Sequence, residues 1–232
     1  MKPLNIAVHR NTMLQILKDI YSDTTLSPFL GFKGGTAAYM FYHLNRFSVD
    51  LDFDLLDKTR EDYVFERVGQ IVKKYGKIKD AKKKKYNLFF LLSCEEEAQN
   101  IKIEINRRLF GSRYEVMTYL GISMLVMVQE DMFAHKLIAM SERIGKANRD
   151  IYDVWFFLKN NWSINGEIIK KRAGLSLKEL WQRCIASLEK MDNRNILAGL
   201  GEVLDKKQKI WVKENLKKDV LFLLKVKLES ER

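Results

Sequence analysis

Apolar residues in the first half of the chain follow two different spacings. Helical spacing predicts three helices, the second with Thr36 as its N-cap, over residues 4–21, 36–44 and 61–75. Alternating or short continuous apolar runs predict five strands, over residues 29–32, 48–55, 77–82, 86–93 and 101–107. This pattern is typical of a domain in which helices pack on a small mixed sheet.

The spacing becomes helical throughout the second half. It predicts helices over residues 124–144 and 150–160, and then two or three amphipathic helices between residues 177 and 228. The sequence contains no long polar linker. We therefore expect an α+β protein with two closely packed parts, an α/β core over residues 1–120 and a helical domain over residues 121–232.

Composition narrows the class of protein. With 232 residues, of which 47% are hydrophobic, the chain can bury a substantial core. It has no apolar run of membrane-spanning length, its charged start is not typical of a signal peptide, and its two cysteines, Cys94 and Cys184, lie far from each other. These features predict a cytoplasmic protein with no membrane contact, zinc site or disulfide framework. The net charge of +11 favours nucleic acid or an acidic protein as partner.

Two carboxylates at alternate positions of one predicted strand are the first candidate for chemistry. Asp50 and Asp52 face the same side of the sheet, whereas Val49, Leu51 and Phe53 face a core on the other side. A pair of aspartates on an exposed strand is often only a solvated surface. Two carboxylates on one face can also hold Mg²⁺ together.

A pair of glycines upstream strengthens the second interpretation. Gly34 and Gly35 allow the backbone to approach a triphosphate, and Thr36 begins a predicted helix. The N-terminus of a helix offers unpaired backbone N–H groups and the positive end of the helix dipole to an anion. The glycine pair, the helix and the aspartate strand therefore outline a nucleotide and metal site.

A third carboxylate, Glu104, lies on the predicted strand over residues 101–107. Isoleucines at positions 101, 103 and 105 share the core face, so Glu104 faces the opposite side, as Asp50 and Asp52 do. If the two strands are neighbours, three carboxylates converge, and they repel one another unless a cation compensates them. Asp54 has the same parity, but we expect it to be solvent-facing or a secondary acid because it lies near the strand end.

Four motifs in this order resemble the AbiEii-type nucleotidyltransferases, which belong to the DNA polymerase β-like superfamily and include many toxins of type IV toxin–antitoxin systems. The resemblance covers roughly residues 29–158. The motifs are Gly34-Gly35-Thr36, Arg46-x-Ser48-x-Asp50-Leu51-Asp52-Phe53, His135-Lys136-Leu137-Ile138-Ala139 and Arg149-Asp150-Ile151-Tyr152-Asp153.

The resemblance implies a polymerase β-like core that moves a nucleoside monophosphate from an NTP to an acceptor. The implied metal ligands for Mg²⁺ are Asp50, Asp52 and Glu104. The implied nucleotide-binding residues are Gly34, Gly35, Thr36, Ser48, Lys136 and Arg143. Lys136 and Asp153, from the helical domain, are implied to complete the catalytic set with Asp50 and Asp52.

For the later motifs there is a structural alternative. Asp150 lies in the first turn of its predicted helix, where it favours the helix dipole. Asp153 lies one turn further in, and an ion pair with Arg149 or Lys136 competes with a catalytic role for it.

The acceptor of the transferred nucleotide is the part of the implied reaction that the sequence determines least. The resemblance implies a tRNA 3′ end, and therefore a toxin or phage-defence protein with an antitoxin as partner. Eight lysines and one acid between residues 73 and 85 agree with RNA binding, although such a run is often only a solvated turn. The alternatives are a nucleotidyltransferase that modifies a small molecule or a protein, and an inactive module that binds RNA or an antitoxin.

Overall fold

The computed structural model describes residues 5–94 and 99–230 and divides into two compact units. The first, here the sheet unit, comprises Met1–His43 and Phe47–Val128. The second, here the helical unit, comprises Leu44–Arg46 and Gln129–Arg232. Among the described residues no helix has the length and apolar character needed to cross a membrane.

The sheet unit is built on a mixed sheet, which within the described residues has seven strands. Their order is β3-β4-β5-β2-β1-β7-β6. Neighbouring strands pair in parallel in β2/β5 and β1/β7 and antiparallel elsewhere. The strands are β1 (Leu30–Lys33), β2 (Asp50–Leu55), β3 (Lys77–Lys83), β4 (Asn87–Ser93), β5 (Ile101–Asn106), β6 (Tyr114–Tyr119) and β7 (Ile122–Met127).

Helices α1 (Ile6–Ser22), α2 (Gly34–Phe41) and α3 (Glu61–Val72) complete the sheet unit. The Asn5 side chain caps α1 by accepting a hydrogen bond from the Val8 backbone N–H. The predicted start of this helix, Leu4, lies outside the described residues. The sheet core is formed by the inward positions of β1, β2, β4 and β5, all fully buried or nearly so, among them Phe32, Leu51, Phe53, Phe90, Ile103 and Ile105.

The helical unit packs its helices around an aromatic core. Phe157 lies parallel to the ring of Trp162 with centroids 4.0 Å apart, and Phe133 contacts both Phe157 and Trp181 edge-on. Capping boxes start α7 and α8 at Ser176 and Asp205. The helices are α4 (Gln129–Arg143), α5 (Arg149–Lys159), α6 (Gly166–Ala173), α7 (Leu177–Lys190), α8 (Lys206–Trp211) and α9 (Lys217–Ser230).

The predicted α+β class is confirmed, but several details of the predicted secondary structure were wrong. The start of the helix predicted over residues 124–144 is strand β7, which together with β6 was not predicted. Short apolar runs do not distinguish helix from strand, and pairing with β1 and β6 decides the outcome here. Apart from Leu44–Arg46, the helical unit begins at Gln129, whereas the predicted helical domain begins at residue 121. Thr36 lies inside α2, whose N-cap is Lys33, and α6 was also not predicted.

Candidate functional site

The polar face of β2 lies directly beside the polar face of β5. The parallel register places Asp50 opposite Lys102 and Asp52 opposite Glu104. The structure thus confirms that these strands are neighbours and that the three carboxylates share one sheet face. The fourth cross-strand group on this face, Lys102, had no role in the sequence-based hypothesis. We refer to Asp50, Asp52, Lys102 and Glu104 as the acidic face.

Lys102 supplies a positive charge within the acidic face. Its Nζ lies 3.3 Å from Asp50 Oδ2 and 3.1 Å from Glu104 Oε2. Burial alone would lower the pKa of this ammonium group, but the charges of Asp50, Asp52 and Glu104 outweigh burial and raise the pKa. The other oxygen of Glu104, Oε1, accepts a hydrogen bond of 2.7 Å from Asn87 Nδ2. Both oxygens of Glu104 therefore have partners within the protein.

Asp54 is buried, with 3% of its surface exposed, so the expectation that it faces solvent was wrong. Its Oδ1 accepts hydrogen bonds of 2.6 Å from both Lys33 Nζ and Asn106 Nδ2, and its Oδ2 accepts one of 2.5 Å from the Tyr114 hydroxyl. Burial would raise the pKa of Asp54, but the Lys33 charge and these hydrogen bonds lower it. Asp54 thus links β1, β2, β5 and β6 at the end of the acidic face.

The turn from β1 into α2 brings the backbone against Asp52. Gly34 has φ +80°, a conformation that favours glycine, and a Cβ at this position would overlap the Asp52 carboxylate. The Thr36 hydroxyl donates to the Asp50 carbonyl oxygen and so ties α2 to the start of β2. The first backbone N–H groups of α2 have no acceptor within the helix. Gly35, Thr36 and Ser48 are buried.

The donor set of this region suits Mg²⁺ at the two aspartates. Mg²⁺ is usually held by one or two carboxylates together with substrate phosphates and water. Because Gly34 has no side chain, the Asp52 carboxylate lies directly against the backbone of the β1–α2 turn. Among the residues that the structure describes, no group of three or more Asp, Glu, His or Cys side chains is arranged to hold a metal ion. Both oxygens of Glu104 are engaged by Lys102 and Asn87, which favours Asp50 and Asp52 over a three-carboxylate site with Glu104.

In the helical unit, Lys136 joins the two aspartates of the last motif. Its Nζ lies 3.1 Å from Asp150 Oδ1 and 2.9 Å from Asp153 Oδ2. Arg143 Nη2 lies 2.7 Å from Asp150 Oδ2, although the two groups are not aligned for a hydrogen bond. Both carboxylates are almost fully buried, whereas Arg143 is half exposed. Lys136 and Arg143 thus place two cations on two buried carboxylates.

Arg46 is the principal partner of Asp153. Its Nε donates to Asp153 Oδ1 at 2.5 Å and its Nη2 to Oδ2 at 2.7 Å, and both side chains are buried. Burial would raise the pKa of Asp153, but the charges of Arg46 and Lys136 lower it to about 2. The alternative of an ion pair with Lys136 is therefore present in the structure, while the partner Arg46 was missed. Sequence spacing carried no signal for this pair, since the two residues are 107 positions apart.

The lysines at the end of β3 and in the following turn already have intramolecular partners. Lys82 pairs with Asp80 and Lys83 with Asp62. Lys84 and Lys85 have aromatic partners instead: Lys84 Nζ lies 3.4 Å from the ring centre of Phe89, and Lys85 Nζ lies 5.2 Å from that of Tyr86. In the strand register Phe89 of β4 lies between Lys82 of β3 and Glu104 of β5. Lys82 and Phe89 therefore lie on the same side of the sheet as the acidic face.

The chain is similar to a described protein family and to solved structures. A family model described as nucleotidyl transferase AbiEii toxin of type IV toxin–antitoxin systems matches residues 15–205. A solved structure of an H. pylori protein described as a candidate nucleotidyltransferase superposes with a TM-score of 0.60 at 23% identity, covering 98% of this chain and 97% of that one. JHP933 from Helicobacter pylori superposes with a TM-score of 0.59 at 23% identity, covering 99% and 96%. No protein of curated function matches in sequence.

Proposed function

This chain belongs to the AbiEii family of nucleotidyltransferase toxins of type IV toxin–antitoxin systems, and from that membership we propose that it transfers a nucleoside monophosphate from an NTP to the 3′ end of tRNA. In this reaction an acceptor hydroxyl oxygen bonds to the α-phosphorus. The bond from that phosphorus to the bridging oxygen breaks, pyrophosphate leaves, and the hydroxyl proton passes to solvent. An antitoxin protein would be the physiological partner that restrains this activity.

The observation that carries the proposal is the contact between the Gly34 turn and Asp52. Asp50 and Asp52 would hold Mg²⁺, which when bound neutralises charge on the transferring phosphoryl group. Gly34 lets the Asp52 carboxylate lie against the backbone of the β1–α2 turn, so a triphosphate bound at the start of α2 would lie beside Asp52. The first N–H groups of α2 would donate to phosphate oxygens. A buried serine, Ser48, lies just before β2 and would support the same phosphates.

Lys136 and Arg143 are proposed to bind nucleotide phosphate. Lys136 already holds two buried carboxylates, and Arg143 is half exposed, so its guanidinium is accessible to a ligand. Asp153 would act on the nucleotide through Lys136, because both of its oxygens are engaged by Arg46 and Lys136. Asp153 is therefore proposed as a positioning residue rather than a group that contacts the substrate.

The tRNA acceptor is proposed from the charge and from the edge of the sheet unit. The chain carries a net charge of +11, and four consecutive lysines lie at the β3–β4 turn. Tyr86 in this turn is half exposed and has Lys85 and Arg108 on its ring. Cations beside an accessible aromatic ring suit a single-stranded nucleic acid, which offers both phosphates and base faces.

Incubation with each labelled NTP, Mg²⁺ and total tRNA tests the proposal. We expect label in the tRNA fraction and equimolar pyrophosphate with the wild-type protein. Asp52→Asn should give neither, and Glu66→Gln, which changes an exposed carboxyl of α3, should match the wild type. Label in protein or in a small molecule would overturn tRNA as the acceptor. Absence of pyrophosphate with every acceptor offered would overturn nucleotidyl transfer itself.

A further inference from the structure

Lys102 supplies a positive charge to the acidic face, and this charge reduces the repulsion among its carboxylates as a bound metal ion would. Lys102 contacts Asp50 and Glu104 at 3.3 and 3.1 Å, and Asp52 lies opposite Glu104 in the strand register. We propose that Lys102 is an internal counter-ion that competes with divalent metal for the acidic face, so that the site binds metal weakly while the lysine is in place. This inference rests on the proposed function, since it concerns the same two aspartates.

The position of Lys102 follows from the strand geometry. It alternates with the buried Ile101 and Ile103, so its side chain shares the sheet face with Glu104. The side chain is only 27% exposed, and its ammonium group contacts the carboxylates of Asp50 and Glu104. A lysine on the surface of a strand would normally extend into water. Here the electrostatic attraction of the acidic face holds it close.

The charges of this face explain why the lysine and a metal ion compete. Asp50, Asp52 and Glu104 bring three negative charges, and the one positive charge of Lys102 leaves the acidic face with a net charge of −2. The ammonium occupies Asp50 Oδ2, one of the oxygens that Mg²⁺ would need. A bound divalent cation would also lie close to the ammonium and repel it, an interaction that is strong at partly buried sites.

The neighbouring cation on this side of the sheet does not take the same role. Lys33 is the last residue of β1, where it is opposite Asp52 in the register, but its ammonium group pairs with Asp54, which also receives hydrogen bonds from Asn106 and Tyr114. Lys102 is therefore the cation whose removal should change metal binding at Asp50.

Titration with Mn²⁺, followed by the electron paramagnetic resonance signal of the free ion, tests the proposal on the full chain. The variants are Lys102→Met, which removes the charge, and Lys102→Arg, which keeps it. Lys77→Met removes an exposed lysine from β3 and serves as the matched control. Asp52→Asn identifies which binding belongs to the acidic face. We expect Lys102→Met to bind Mn²⁺ about tenfold or more tightly than wild type, and Lys102→Arg and Lys77→Met to stay within about twofold of it.

Thermal melting provides a second readout. Without metal, Lys102→Met should melt at a lower temperature than Lys77→Met, because the three carboxylates repel one another. Mn²⁺ should raise its melting temperature by more than it raises that of the wild type. Should Lys102→Met fail to fold, Lys102→Gln removes the same charge while keeping a hydrogen-bond donor for Glu104.

The outcomes separate this inference from the proposed function. If wild type binds Mn²⁺ in a manner that Asp52→Asn abolishes, and neutral variants at Lys102 bind it no more tightly, the counter-ion inference is overturned and the metal site stands. If neither wild type nor the neutral variants bind Mn²⁺, with or without NTP, both are overturned. Tighter binding by the neutral variants that Asp52→Asn does not affect would also contradict the inference.

Discussion

Arg46 holds Asp153 with two parallel hydrogen bonds, Nε to Oδ1 at 2.5 Å and Nη2 to Oδ2 at 2.7 Å. Both side chains are buried, and Lys136 adds a third contact at 2.9 Å. A bidentate guanidinium–carboxylate pair is among the stronger and more directional polar contacts in proteins. The last motif therefore has a structural role in the helical unit whether or not it also serves the nucleotide.

Asp153→Asn should lower the free energy of unfolding by about 3–5 kcal/mol, because it leaves the buried Arg46 without a charged partner. Urea denaturation at neutral pH measures this loss. The matched control is Glu189→Gln, which breaks a half-exposed ion pair with Lys225 and should cost less than about 1 kcal/mol. A loss for Asp153→Asn as small as that of the control would show that the pair contributes little to stability.

The same pair predicts how stability depends on pH. The pKa of Asp153 is about 2 in the folded protein and has its ordinary, higher value in the unfolded chain. As the pH falls, the unfolded chain takes up the proton first, so the stabilisation is complete above about pH 4 and is lost toward pH 2. The difference in stability between wild type and Asp153→Asn should therefore shrink below pH 4 in urea titrations. A difference that stays constant down to pH 2.5 would contradict the assigned ion pair.

Gly34→Ala should impair both folding and nucleotidyl transfer. The left-handed conformation of Gly34 costs an alanine about 1–2 kcal/mol, and its Cβ would displace the Asp52 carboxylate. Gly166→Ala is the control, since Gly166 starts a helix, has no positive φ and has open space where its Cβ would lie. We expect the control to be neutral or slightly stabilising in thermal melts and fully active in the transfer assay. Wild-type activity of the Gly34→Ala protein would contradict the proposal that the contact between Gly34 and Asp52 is needed for transfer.

Variants at Asp52 and Asp54, two positions apart on β2, should differ in their effects on catalysis and on stability. Asp52→Asn should keep the fold and lose transfer, because Asp52 faces the proposed nucleotide site. Asp54→Asn should instead lower the free energy of unfolding, since Asp54 is buried against Lys33 and Tyr114. Circular dichroism melts and turnover measured on both proteins give the comparison. Equal loss of stability in the two variants would mean that Asp52 is also a structural acid.

The four lysines of the β3–β4 region should contribute unequally to RNA binding. Lys82 and Lys83 have acidic partners, whereas Lys84 and Lys85 lie on aromatic rings and, within the part of the chain that the structure describes, form no ion pair with a carboxylate. Replacing Lys84 and Lys85 with alanine should flatten the salt dependence of tRNA binding, by roughly 0.7 log–log units for each RNA phosphate that the protein no longer neutralises. The Lys82→Ala/Lys83→Ala protein should change it less. A gel-shift salt series measures both slopes, and slopes equal to that of wild type in both variants would rule out this region as an RNA-binding surface.

The sequence alone determined the local features of the proposed site. Alternation along β2 and β5 placed Asp50, Asp52 and Glu104 on the face opposite the buried Leu51 and Ile103, because successive side chains of a strand point to opposite sides. The glycine pair likewise predicted a close approach of the backbone to another group, and in the structure Gly34, with φ +80°, packs against Asp52. These features depend on backbone geometry within a few residues, and so they can be predicted from a short stretch of sequence.

Only the tertiary structure decided which groups become partners. The pair of Arg46 with Asp153, the burial of Asp54 and the position of Lys102 between two carboxylates each depend on which strands and helices pack together. The same holds for β7, an apolar run that became a strand because β1 and β6 offered edges to pair with. Long-range choices of this kind arise from competition among many packings of similar local preference, and the local pattern of residues does not distinguish among them.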